Sequence, residues 1–112
     1  VPDGVQRLFL VTRSRGPRWD DSRSLEEQEE WRAHAEFMNA LARDGFVVLG
    51  GPVDGTRETL LVVRASDEAQ IQARLSGDPW SRSQLLSLDT IRVWMLRLGS
   101  IPDRAPGASV AD

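Results

Sequence analysis

The chain has no cysteine, no tyrosine and no lysine, and only one histidine, His34. Without cysteine there is no disulfide framework, no thiolate nucleophile and no thiolate metal site. The missing lysine excludes Schiff-base chemistry, and the missing tyrosine excludes a phenolic proton donor. One histidine cannot build a multi-histidine metal centre. A carboxylate-only magnesium or calcium site needs a ligand spacing that Asp20, Asp21, Glu26, Glu27, Glu29 and Glu30 do not have. Those acids read as a solvated loop and a helix N-terminus, and no metal or organic cofactor is expected. No apolar run approaches the ~20 residues of a membrane span, and no apolar leader is visible. The expectation is a cytoplasmic protein with no membrane partner.

What is present is arginine. All fourteen basic residues are Arg, and with seventeen acids the net charge is −3 at pH 7. The arginines are dispersed, so nucleic acid is not an expected partner. Arginine in place of lysine points to a GC-rich coding sequence more than to a mechanism. At 112 residues the chain makes one domain, whose modest core would gain from a second copy.

Val5 to Thr12 reads as a strand, and Arg13 to Arg23, with Gly16-Pro17 inside it, as a polar loop. Ser24 opens a helix through a capping box with Glu27, and Gly45 ends it. Trp31, His34, Ala35, Met38, Leu41 and Ala42 share one face of that helix, which puts His34 inside the apolar stripe. Phe46 to Leu49 forms a second strand, closed by a Gly50-Gly51-Pro52 turn, and Thr59 to Arg64 a third. Ser66 caps a shorter helix that Gly77 stops, Asp78-Pro79-Trp80 follows, and Leu88 to Leu98 is the last strand. From Gly99 the composition shifts to Pro, Gly, Ala and Asp, so residues 99–112 read as a tail beside a domain spanning 1–98.

The order β-α-β-β-α-β is that of an α+β, ferredoxin-like fold, with a four-stranded antiparallel sheet and both helices on one face. Leu8 to Val11, Phe46 to Leu49 and Leu60 to Val63 are apolar on both faces. Two helices cover one face only, so the other is expected to be buried by a homodimer packing sheet to sheet.

These residues resemble the YCII-related family, small proteins of the dimeric α/β-barrel superfamily. The resemblance runs from about Leu8 to Leu98. It rests on Trp31-Arg32-Ala33-His34-Ala35-Glu36-Phe37, on Gly45 followed by the strand ending Gly50-Gly51-Pro52, and on Asp78-Pro79-Trp80 ahead of the final strand. It implies a His-Asp pair as active site, carried here by His34 and Asp78. Some members resemble dehydrochlorinases of aromatic ring-cleavage routes and many have no assigned reaction, so it speaks to the fold more than to the chemistry.

Each candidate also has a plain structural reading. A lone histidine on an apolar face is often a hydrogen-bonded core residue, whereas a neighbouring carboxylate would fix its tautomer for proton transfer. Asp78 can cap the turn after the second helix or orient His34. Trp80 can pack or line a pocket, and Gly51 and Pro52 can serve a turn or let a ligand approach the backbone. Arg13 is the first choice to hold substrate charge from a loop able to act as a lid. Trp31 and Trp94 read as core or subunit contacts.

The expected function is therefore a cofactor-independent lyase or isomerase acting on an aromatic or enolisable organic acid. His34 and Asp78 are its catalytic residues; Arg13, Gly51, Pro52 and Trp80 bind the small-molecule substrate. The alternatives are a cofactor-free oxygenase of the same superfamily and a non-catalytic ligand-binding or interaction module.

Overall fold

Alternation of buried and half-buried side chains makes the first strand. In the computed structural model, which describes residues 6–101, β1 runs Arg7–Arg15 with Phe9, Val11 and Arg13 buried on one face. It pairs antiparallel with β3 (Glu58–Ala65) on one side and β4 (Leu86–Val93) on the other. With β2 (Val47–Pro52) on the far edge of β3, the sheet order is β2-β3-β1-β4. The architecture is α+β and ferredoxin-like. Val5, the expected start of the first strand, and the part of the expected tail beyond Ile101 lie outside the described residues.

Arg13 to Arg15 are not a loop. They pair with Thr59 and Glu58 on β3 and with Leu88, Ser87 and Leu86 on β4. The alternation that starts at Phe9 simply continues through arginines. A register shift between Thr12 and Arg13 leaves Asp89 as the extra residue on β4, the local twist that a β-bulge imposes. The last strand starts two residues early and stops at Val93, opposite Phe9, with one further bond from the Trp94 amide to the Leu8 carbonyl.

The first helix also starts late. Ser24 and Glu27 do meet, the Ser24 amide donating to the Glu27 carboxylate at 3.0 Å, but around a single 3-10 turn, Leu25–Glu27. The chain then turns at Gln28, whose buried amide donates to the Asp20, Arg23 and Ser24 carbonyls and accepts from the Asp20 amide. Helix α1 begins at Trp31 after Glu30, which takes a left-handed φ of 60°, and ends at Arg43. Gly45 (φ 82°) closes it: its amide donates to the Ala42 carbonyl, and that of Phe46 to the Leu41 carbonyl, a Schellman stop.

The second helix, α2 (Glu68–Leu75), is capped by Asp67 rather than Ser66, and buries Ile71 and Leu75. Gly77 is needed for space rather than for a stop: a Cβ there would lie 3.1 Å from the Phe37 ring of α1. Gly50 to Pro52 belong to β2 and not to a turn.

Phe9, Val11, Leu61 and Val63 face α1 and α2, where Met38, Leu41, Ile71 and Leu75 complete the core. The other face carries Leu8, Leu10, Leu49, Leu60 and Val62, by register with one another. There β4 supplies Thr90 and Arg92, so this face is apolar on three strands and polar on the fourth. Among the described residues no helix is long and apolar enough to cross a membrane.

Candidate functional site

Three elements deliver one polar cluster into the core. The Asp78 side chain caps the short helix α3 (Pro79–Arg82), accepting the Trp80 amide on Oδ1 at 3.0 Å. Proline at the first helical position suits that start, where no backbone donor is needed. The same carboxylate receives His34 Nδ1 from α1 at 2.9 Å on Oδ1 and 3.0 Å on Oδ2. Arg13 Nη1, from β1, donates to Oδ2 at 3.0 Å. Capping and orientation of the histidine, alternatives in the sequence, are both performed by one side chain.

All of this is interior. Arg13, His34, Asp78 and Trp80 are each 0% exposed. Burial pushes the Asp78 carboxyl up, but the hydrogen bond from His34, the charges of His34 and Arg13, and the Trp80 amide outweigh it, holding the pKa below the ordinary carboxylate value. At neutral pH the group is an acceptor only, so the proton between the two residues sits on Nδ1 of His34.

Aromatic rings wall the cluster. The Trp80 ring is stacked on the imidazole, and its indole N–H donates to the Glu29 carbonyl at 2.6 Å. Trp31 is tilted against both rings, 5.9 Å from His34 and 5.8 Å from Trp80. Trp19, from the 16–28 segment, meets Trp80 edge-on at 5.5 Å, and the Arg15 guanidinium lies 4.7 Å over the Trp19 ring. Beside them is a cleft of about 10 Å³ bordered by Arg15, Trp19, Pro52, Thr59 and Trp80. That is space for about one water molecule. Two larger surface clefts, about 360 and 490 Å³, border neither Arg13, His34 nor Asp78.

Of the residues singled out from sequence, His34, Asp78, Arg13 and Trp80 come together, and Pro52 borders the cleft. Gly51 does not join them; it lies opposite Leu60 on the uncovered face, with nothing within 4 Å of a built Cβ. Arg13 reaches the site from a strand and not from a mobile loop. Sequence reasoning puts Met38 on the helix face of His34 and Trp19 in the loop after β1, but gives neither of them, nor Thr59, a place in the site. Thr59 was visible only through register, as the cross-strand neighbour of Arg13. Among the described residues, no group of three or more His, Cys, Asp or Glu side chains is placed to hold a metal ion.

No protein-family model matches the chain, and no curated protein matches it.

Proposed function

We propose that the protein is a small-molecule enzyme of the lyase or isomerase class that moves a proton on an aromatic or enolisable organic acid. The observation that supports this is the His34 Nδ1 contact with both oxygens of an Asp78 carboxylate that His34 and Arg13 together keep ionised. An imidazole held in one tautomer by a buried carboxylate is the arrangement a general acid-base catalyst needs. Asp78 orients His34 and balances its charge, and His34 Nε2 takes and returns the substrate proton. The side chains of Trp80 and Pro52 form the apolar approach.

The reading extends to a YCII-related homodimer located in the cytoplasm, packed through Leu8, Leu10, Leu49, Leu60 and Val62. Its test is turnover of a panel of chlorinated and enolisable aromatic acids, run in air and under nitrogen. Product formation under nitrogen supports the lyase or isomerase; a requirement for oxygen contradicts it and points to the oxygenase.

The complete burial of Arg13, His34 and Asp78 favours a second reading. In it the cluster is a polar pin joining β1, α1 and α3, and the chain is a non-catalytic binding or interaction module. A His34→Gln variant that melts earlier yet retains all ligand affinity, with no acid turned over by the natural protein, favours the pin.

A further inference from the structure

Arg13 carries more donors than its neighbours use. Its Nη1 donates to Asp78, its Nη2 lies 3.7 Å from the Met38 sulfur, and its Nε has no hydrogen-bond partner among the described residues although the atom is buried. The Nε–H and Nη2 lie on one edge of the guanidinium, the fork whose spacing matches the two oxygens of a carboxylate. A thioether is only a weak acceptor. Thus the edge best suited to an oxyanion meets one sulfur, while Asp78 is engaged through Nη1 alone. Buried donors are rarely left unmade, and those that are call for an explanation.

The surroundings supply one. Arg13 and Arg15 face the same side of β1, and Thr59 stands across from Arg13 on β3. Arg15 and Thr59, the neighbours of Arg13 along β1 and across to β3, both border the small cleft, while Arg13 itself lies buried behind its lining. Glu58 is exposed at its rim. The Trp19 ring forms one wall of the cleft, set edge-on to Trp80 at an interplanar angle of 86°. Another aromatic ring can replace Trp19 in that edge-to-face geometry.

We infer that the Nε/Nη2 edge of Arg13 is the subsite for the carboxylate of a small aromatic acid, whose ring displaces Trp19 from Trp80. Thr59 offers its hydroxyl at the side of the bound carboxylate. Because Arg13 and His34 hold the same Asp78, an acid seated there lies one side chain away from the imidazole. The inference deepens the proton-transfer reading and rests on it for the identity of the site.

The test uses benzoate as probe and benzamide as its neutral isostere, with the Arg13 Nε–H signal assigned through its own backbone by ¹⁵N NMR. Benzoate is expected to shift that signal and benzamide to leave it in place. Trp19→Ala should tighten benzoate by about three- to tenfold, the value of one aromatic pair no longer displaced. A benzoate complex that leaves the Arg13 signal unmoved overturns the inference, as does equal binding of benzamide, or no binding even to Trp19→Ala. Arg13→Lys, which keeps the charge and loses the fork, should bind benzoate at least tenfold more weakly, by about the 1.4 kcal/mol that a tenfold change represents. If that variant does not fold, the NMR signal of the natural protein decides alone. Deuterium exchange into an enolisable acid reads His34 separately. Its loss with the Arg13 shift intact sinks the proton-transfer reading, and the converse sinks the subsite.

Discussion

Trp80 lies flat on His34, with ring centroids 3.8 Å apart and planes inclined by only 7°. The contact joins a side chain of α3 to one of α1, and it makes the indole both a wall of the site and a keystone of the second apolar cluster with Trp19, Leu85 and Leu86. Trp80→Ala should therefore destabilise the protein by about 3 to 5 kcal/mol, the usual cost of deleting a buried aromatic ring. Trp80→Phe, which keeps a stacking surface and loses the N–H bond to Glu29, should cost less. Urea denaturation of the two variants checks the order.

Removing the charge of Asp78 should be equally costly at neutral pH, since Asp78→Asn leaves the Arg13 guanidinium buried and unpaired; breaking such pairs typically costs about 3 to 5 kcal/mol. The pH dependence has a definite sign. The folded-state pKa of Asp78 is lowered, so its stabilisation is fully present above the unfolded value of 3.8 and is lost as pH falls through the lower folded value. Urea midpoints measured from pH 7 to pH 2 should show the gap between natural protein and Asp78→Asn closing only in the acid range below about pH 4.

The cluster was half legible in the sequence. The wheel that puts His34 in an apolar stripe is sufficient to bury it; Asp78 is legible as a turn cap and, through the family resemblance, as the partner of His34, but not as the start of α3. A charged residue after Thr12 reads as loop, whereas a buried carboxylate 65 residues downstream makes Arg13 a core residue. The place of Trp19 against Trp80 is not legible for a related reason: Gln28 folds the 20–28 segment onto its own side chain, and no local pattern announces such a tertiary staple. The strand order followed from the element order, but the polar contribution of β4 to the uncovered face depends on the bulge at Asp89.

Glycine substitutions should separate close approach from open space. Gly16→Ala places a Cβ 2.3 Å from the Gln84 carbonyl oxygen, a backbone atom that cannot move aside cheaply. A loss of about 1 to 3 kcal/mol is expected. Gly51→Ala, with open space around it, should change stability by less than about 0.5 kcal/mol. Thermal melts of both variants provide the comparison.

The uncovered face predicts assembly. Leu10 and Val62 are cross-strand neighbours on it, at the middle of the apolar region. If the protein is a sheet-to-sheet dimer, Leu10→Arg should convert it to monomer at micromolar concentration while leaving the helix-facing core intact. Sedimentation velocity on the natural protein and the variant tests this; a natural protein that is already monomeric removes the dimer from the account.

The central claim is that His34 transfers a proton, and incorporation of deuterium from D₂O into an enolisable aromatic acid, followed by ¹H NMR, measures it most directly. The natural protein should catalyse the exchange. His34→Gln, verified as folded by circular dichroism, should slow it by about 10²- to 10⁴-fold, the usual share of general acid-base catalysis. Exchange at the same rate in natural protein and His34→Gln would contradict the account.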